Sequence, residues 1–96
     1  MSAVRILNEY SSFLRVEKGL SENSVQAYLS DLSQFYRFLV KGQVNLIDVT
    51  QDHLTDYLKL LDGKSISPRS RARKVSALRS FFDYLVDETI IEHNPC

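Results

Sequence analysis

A chain of 96 residues with 44% hydrophobic and 25% charged side chains has the length and composition of one small globular domain, enough for a single core and not for two. No apolar run exceeds three residues, which excludes a membrane span and a signal-peptide core, and the single cysteine, Cys96, excludes an internal disulfide and favours a reducing, cytoplasmic setting. Twelve bases balance twelve acids, but unevenly: residues 64–79 carry +6, against −2 for residues 1–63 and −4 for residues 80–96.

In chain order, Ile6, Leu7, Tyr10, Phe13 and Leu14 recur at helical spacing and predict a first helix over residues 3–18, ended by Gly19. Ser21 then offers an N-cap, with Leu20 and Val25 spaced as a hydrophobic staple. The second helix runs to about Lys41 and buries Val25, Tyr28, Leu29, Leu32, Phe35, Tyr36 and Leu39, with Gly42 as its stop. Its other face shows Asn23, Ala27, Ser30, Gln34, Arg37 and Lys41, small and amide side chains that suit a groove and equally an ordinary wetted surface. Thr50 caps a short third helix with Leu54, Leu58 and Leu61 as its stripe, and Asp62-Gly63-Lys64-Ser65 breaks it.

Ser67-Pro68 starts the fourth helix, because the serine oxygen accepts free backbone N–H groups and proline's missing donor costs nothing at the first helical position. Val75, Leu78, Phe82 and Leu85 define its core face, widened by Ala72, Phe81 and Val86. Arg69, Arg73, Ser76, Ser80 and Ala77 fall opposite, a strip that can approach an anionic surface. The other reading of the +6 segment is a solvated helix end whose bases pair with acids elsewhere. Arg71 stands on the core side where a staple would place an apolar residue, so either the helix start projects beyond the core or Arg71 snorkels to an acid or a phosphate. Beyond Val86, Ile90 and Ile91 can fold back, and Asn94-Pro95 ends any helix.

The chain carries no glycine-rich phosphate loop, CxxC pair, HExxH or GxSxG turn, so no catalytic residue, metal site or cofactor is expected. His53 and His93 read as surface or capping histidines, and Tyr10, Tyr28, Tyr36, Tyr57 and Tyr84 all fall at or beside core positions. A DNA-binding module and a helical protein-interaction domain that meets an acidic partner both fit this pattern. A helix-turn-helix regulator fits less well, because the joint from Asp62 to Ser67 is longer than a 3–4-residue turn.

The runs GLSENSVQAYLSDLSQFYRFL and SPRSRARKVSALRSFFDYLV, with the closing NP, resemble the N-terminal core-binding (SAM-like) domain of tyrosine recombinases and phage integrases, most closely the Xer-like members. The marks are Gly19-Leu20-Ser21, Ser24, Tyr28, Asp31-Leu32 and Phe35, then Ala72, Arg73, Ser76-Ala77-Leu78-Arg79, Phe82 and Leu85, then Asn94-Pro95. The resemblance implies an all-α, four-helix orthogonal bundle with a short C-terminal helical turn, a domain over residues 1–93 and the start of a linker at 94–96 leading to a separate catalytic domain. It implies a module that clamps one face of a recombination half-site in double-stranded DNA, alongside other recombinase protomers, with no membrane and no small-molecule ligand. Carried over by position, the DNA-binding residues are Asn23, Ser24, Ala27 and Ser30 on the second helix and Arg69, Arg73, Ser76 and Ala77 on the fourth, with Lys74 and Arg79 as flanking phosphate contacts. The family's catalytic residues belong to the other domain, and none maps onto this chain.

Overall fold

Three helices begin where the sequence offers an acceptor to their free N–H groups. Ser21 accepts from the Ser24 N–H at 3.3 Å, Thr50 from the His53 N–H at 3.4 Å and Ser67 from the Ser70 N–H at 3.1 Å. A computed structural model, which describes residues 3–96, accordingly shows α1 (Ala3–Val16), α2 (Glu22–Lys41), α3 (Gln51–Asp62) and α4 (Pro68–Asp87), with a 3-10 turn at Leu46–Asp48. The expected starts of α2, α3 and α4 are therefore observed, and no strand occurs among the described residues. His53 also returns a contact to its cap: its Nδ1 accepts the Thr50 N–H at 2.9 Å, completing a capping box with histidine in the place usual for glutamate.

The helix ends differ in detail from expectation. At the end of α1, Gly19 takes φ +63° as expected. At the end of α2, Gly42 keeps φ −84° and the left-handed residue is Gln43, at φ 57°. The Gln43 N–H bonds Val40 O at 3.1 Å and the Val44 N–H bonds Leu39 O at 2.9 Å, the paired bonds of a Schellman motif. The expected C-terminal helical turn takes the same form rather than that of a separate helix. Thr89 lies at φ 60°, with its N–H on Val86 O at 3.0 Å and the Ile90 N–H on Leu85 O at 2.9 Å. This closure turns Ile90 and Ile91 back against the core.

The core draws on every helix. Phe82 and Leu85 of α4 are fully buried with Phe35 and Leu39 of α2 and Tyr10 and Leu14 of α1, and Leu54 and Leu61 of α3 are buried beside them. Phe35 meets Phe82 edge-on at 6.0 Å between ring centroids, and Tyr10 meets Phe81 edge-on at 5.1 Å. Tyr10 is completely buried, its hydroxyl donates to Ser80 Oγ at 2.6 Å, and burial pushes its pKa up to about 12 against the opposing pull of that bond.

α4 buries more of its circumference than one amphipathic stripe. Leu78, Phe82 and Leu85 form one buried row, and Lys74, Ala77, Phe81 and Tyr84 form a second beside it, because α1, α2 and α3 all lean on this helix. The structure therefore moves Ala77 from the polar strip into the core and Ala72 from the core to the exposed face, while Val75 and Val86 are only half-buried. What remains outside is a narrow strip running from Arg69 through Ala72, Arg73, Ser76 and Arg79 to Asp83 and Asp87.

Two outcomes test this packing. Phe82→Ala removes a ring with no exposed surface and should cost roughly 3–5 kcal/mol, read as a lowered urea midpoint. Thr89→Gly should instead raise the midpoint, since a β-branched residue in the left-handed region costs about 1–2 kcal/mol and glycine returns only about 0.5–1 of that as chain entropy.

Candidate nucleic-acid interface

The α2 and α4 strips meet at one carboxylate. Asp31 of α2 is 3% exposed, and its two oxygens accept from Arg73 Nε at 2.8 Å and Arg73 Nη2 at 3.0 Å, a bidentate pair. Lys74 Nζ donates to the same carboxylate at 2.9 Å and to Gln34 Oε1, also at 2.9 Å. The lysine is itself buried, whereas 43% of the Arg73 side chain stays exposed, with its third nitrogen uncommitted. Burial by itself would raise the Asp31 pKa, but the hydrogen bonds and charges of Arg73 and Lys74 outweigh it and hold the carboxyl below the usual range.

Two expected site residues lie inward in this network: Lys74 is buried and faces Asp31 and Gln34, and Ala77 has no exposed surface. Both belong to the second buried row of α4, which a single-stripe reading of the helix overlooks. Arg73 keeps its place on the outer strip but is tethered rather than free. Asn23, Ser30, Arg69, Ser76 and Arg79 are exposed, and Ser24 and Ala27 are half-buried beside them. Because Asp31 follows Ser30 directly and Arg73 lies about one turn from both Arg69 and Ser76, the pair sets the two strips side by side.

The basic segment divides in half. Arg71 snorkels to Asp62 at the end of α3, with Nε to Oδ1 at 2.6 Å, which answers the oddity of an arginine on the core side. With Arg73 and Lys74 on Asp31, three of the six cations hold helices together. Among the described residues, Lys64, Arg69 and Arg79 make no ion pair. Asp31 is thus a structural residue of the site that the pattern of charges alone did not single out. Its signal was present in the resemblance, whose marks include both Asp31 and Arg73.

Tyr10, Tyr57 and Tyr84 are buried, and among the described residues no group of three or more histidine, cysteine or acidic side chains is placed to hold a metal ion. The terminal Asn94 lies against α4, with its Nδ2 donating to Asp83 Oδ1 at 2.7 Å, and Pro95 and Cys96 line a small cleft with Leu54, Leu58, Val75 and Leu78.

The chain is thus an all-helical, four-helix domain that sets a small, hydroxyl-rich strip of α2 beside an arginine strip of α4. Residues 7–89 match the model of the phage integrase N-terminal SAM-like domain, and the chain belongs to that family. It is 40% identical over 93 residues to a tyrosine recombinase of Pseudothermotoga lettingae, covering 95% of this chain and 32% of that protein. It is 37% identical over 90 residues to tyrosine recombinase XerD of Pseudomonas putida, covering 94% of this chain and 30% of that protein. It is 36% identical over 90 residues to tyrosine recombinase XerC of Anoxybacillus flavithermus, covering 93% and 30%. The chain thus spans about a third of the length of the curated relatives it matches.

The Asp31 network yields a pH-dependent outcome. Its native pKa is depressed, so its contribution is complete above the usual carboxylate range and is lost as pH falls through that range toward the lower native value. Asp31→Asn should cost about 3 kcal/mol at pH 7, the low end for a broken buried pair because Arg73 stays partly solvated and Lys74 keeps Gln34. Urea titrations at pH 7 and pH 3 should show the deficit shrinking in acid.

Proposed function

We propose that this chain is the DNA-gripping module of a tyrosine recombinase, holding one face of a recombination half-site through Asn23, Ser24, Ala27 and Ser30 of α2 and Arg69, Arg73 and Ser76 of α4, with Arg79 flanking. The observation that carries this reading is the seam at Asp31 and Arg73, which locks two exposed strips of complementary chemistry into one surface. Short side chains on α2 allow close approach to a groove, and the unpaired Arg69 supplies positive charge at its edge. Membership of the integrase family supports the same assignment. Strand cleavage and rejoining then fall to catalytic residues outside these 96, and other protomers of the recombinase share the DNA. The setting is cytoplasmic.

Arg69 gives a cleaner test than Arg73, because it has no ion pair among the described residues and its removal leaves the helix seam intact. Titration of a labelled duplex at two salt concentrations should show Arg69→Ala weakening binding and flattening the log–log salt slope by about one, with an unchanged melting temperature. Lys59→Ala, on the exposed side of α3, should leave both affinity and slope as they are. Arg73→Ala should lose stability as well as affinity. Equal losses from Arg69→Ala and Lys59→Ala would mean diffuse attraction to positive charge, and the reading would fall.

A further inference from the structure

A second basic surface lies beyond the α2–α4 strip. The last turns of α2, the end of α3 and the joint leading to α4 enclose an open cleft of about 390 Å³, whose wall includes Gln34, Arg37, Lys41, Tyr57 and Lys64. Three cations and no acid line it, in a chain whose net charge is zero. Among the described residues, Arg37, Lys41 and Lys64 make no ion pair, and each is exposed. The contrast with a second cleft, where Lys18 and Arg79 face Asp83 and Asp87, shows that local neutralisation is available elsewhere on this surface and missing here.

Tyr57 adds an independent sign. The residue is 3% exposed, its ring packs edge-on against Phe35 at 5.0 Å and tilted against Phe38 at 5.1 Å, and its hydroxyl is buried with no hydrogen-bond partner among the described residues. A buried donor left unpaired costs stability that phenylalanine would not cost at the same position. Burial raises the Tyr57 pKa, with the Asp31 charge adding to the rise and the Arg37 charge opposing it, so the hydroxyl is a proton donor at neutral pH within electrostatic reach of Arg37. A neutral donor beside three unpaired cations matches the needs of a phosphate, which takes charge from lysine and arginine and hydrogen bonds from any donor that faces it.

We infer that Arg37, Lys41, Lys64 and the Tyr57 hydroxyl form an anion site that takes one phosphate of the DNA backbone. The site rests on the proposed DNA grip and extends it, since Arg37 and Lys41 continue the α2 face that begins with Asn23, Ala27 and Ser30. It serves affinity and register rather than sequence reading, because a phosphate carries no base information.

The test uses the 96-residue chain and one labelled duplex, titrated at 50 and 200 mM salt. The Lys41→Ala/Lys64→Ala double variant should flatten the log–log slope by about one, so that the affinity lost across this fourfold salt range shrinks by roughly threefold. Tyr57→Phe should bind several-fold more weakly while melting at the same or a higher temperature, a split that a purely structural tyrosine would not give. Lys59→Ala is the control. A parent-like slope in the double variant, or parent-like affinity in Tyr57→Phe, overturns the site and leaves the α2–α4 grip standing. Absence of duplex binding by the parent chain overturns both.

Discussion

Two positive side chains share one buried carboxylate in this domain, and the relation of α2 to α4 depends on it. An unpaired Asp31 at 3% exposure would be prohibitive, and so would a buried Lys74 ammonium. Each is tolerable because the other is there, and the bidentate geometry of Arg73 fixes the spacing as well as the charge. Because apolar replacements of buried ion pairs are often neutral in stability, the contribution of this network lies as much in register as in energy. It brings Ser30 and Arg69 to the same outer surface, which hydrophobic contacts with several equivalent packings would define less sharply.

The same network explains why charge composition misleads here. A run of +6 invites the picture of a helix end covered in free cations, yet Arg71, Arg73 and Lys74 are all turned toward carboxylates on other helices. The basic segment therefore does two jobs from one sequence. Residues that point inward or sideways fasten α4 to α2 and α3, and those that point out, Lys64, Arg69 and Arg79, supply the surface potential. Net neutrality follows from the two-acid excess of residues 1–63, where the fastening acids Asp31 and Asp62 lie, and from the four acids Asp83, Asp87, Glu88 and Glu92.

Much of the fold was legible because its signals are local. Ser21, Thr50 and Ser67 announce helix starts through their own hydroxyls, and the 3.6-residue recurrence of apolar side chains around Tyr10 in α1, Phe35 in α2 and Phe82 in α4 marks the faces that pack. What periodicity could not supply was the position of α4 among three neighbours. A helix packed from several directions buries adjoining rows, so Ala77 and Lys74 read as surface residues until the partners of α4 are known. The helix ends misled for a similar reason: Gln43 and Thr89 take the left-handed turn because Val44 and Ile90 have core to reach, a long-range demand that outweighs the local preference for glycine. The outer strip of the candidate site was partly visible for the converse reason, since exposure of Asn23, Ser30, Arg69 and Ser76 needs only the helix phase.

The anchoring of the last residues has a consequence in polymer terms. Asn94 is tied to Asp83, and the Cys96 N–H returns to Asn94 Oδ1 at 2.8 Å, so the backbone at this point has a fixed position and heading on the flank of α4. Residues 88–94 are thereby closed into a loop held at both ends, by the turn at Thr89 and by the Asn94 amide, so their freedom is restricted by closure as well as by the burial of Ile90 and Ile91.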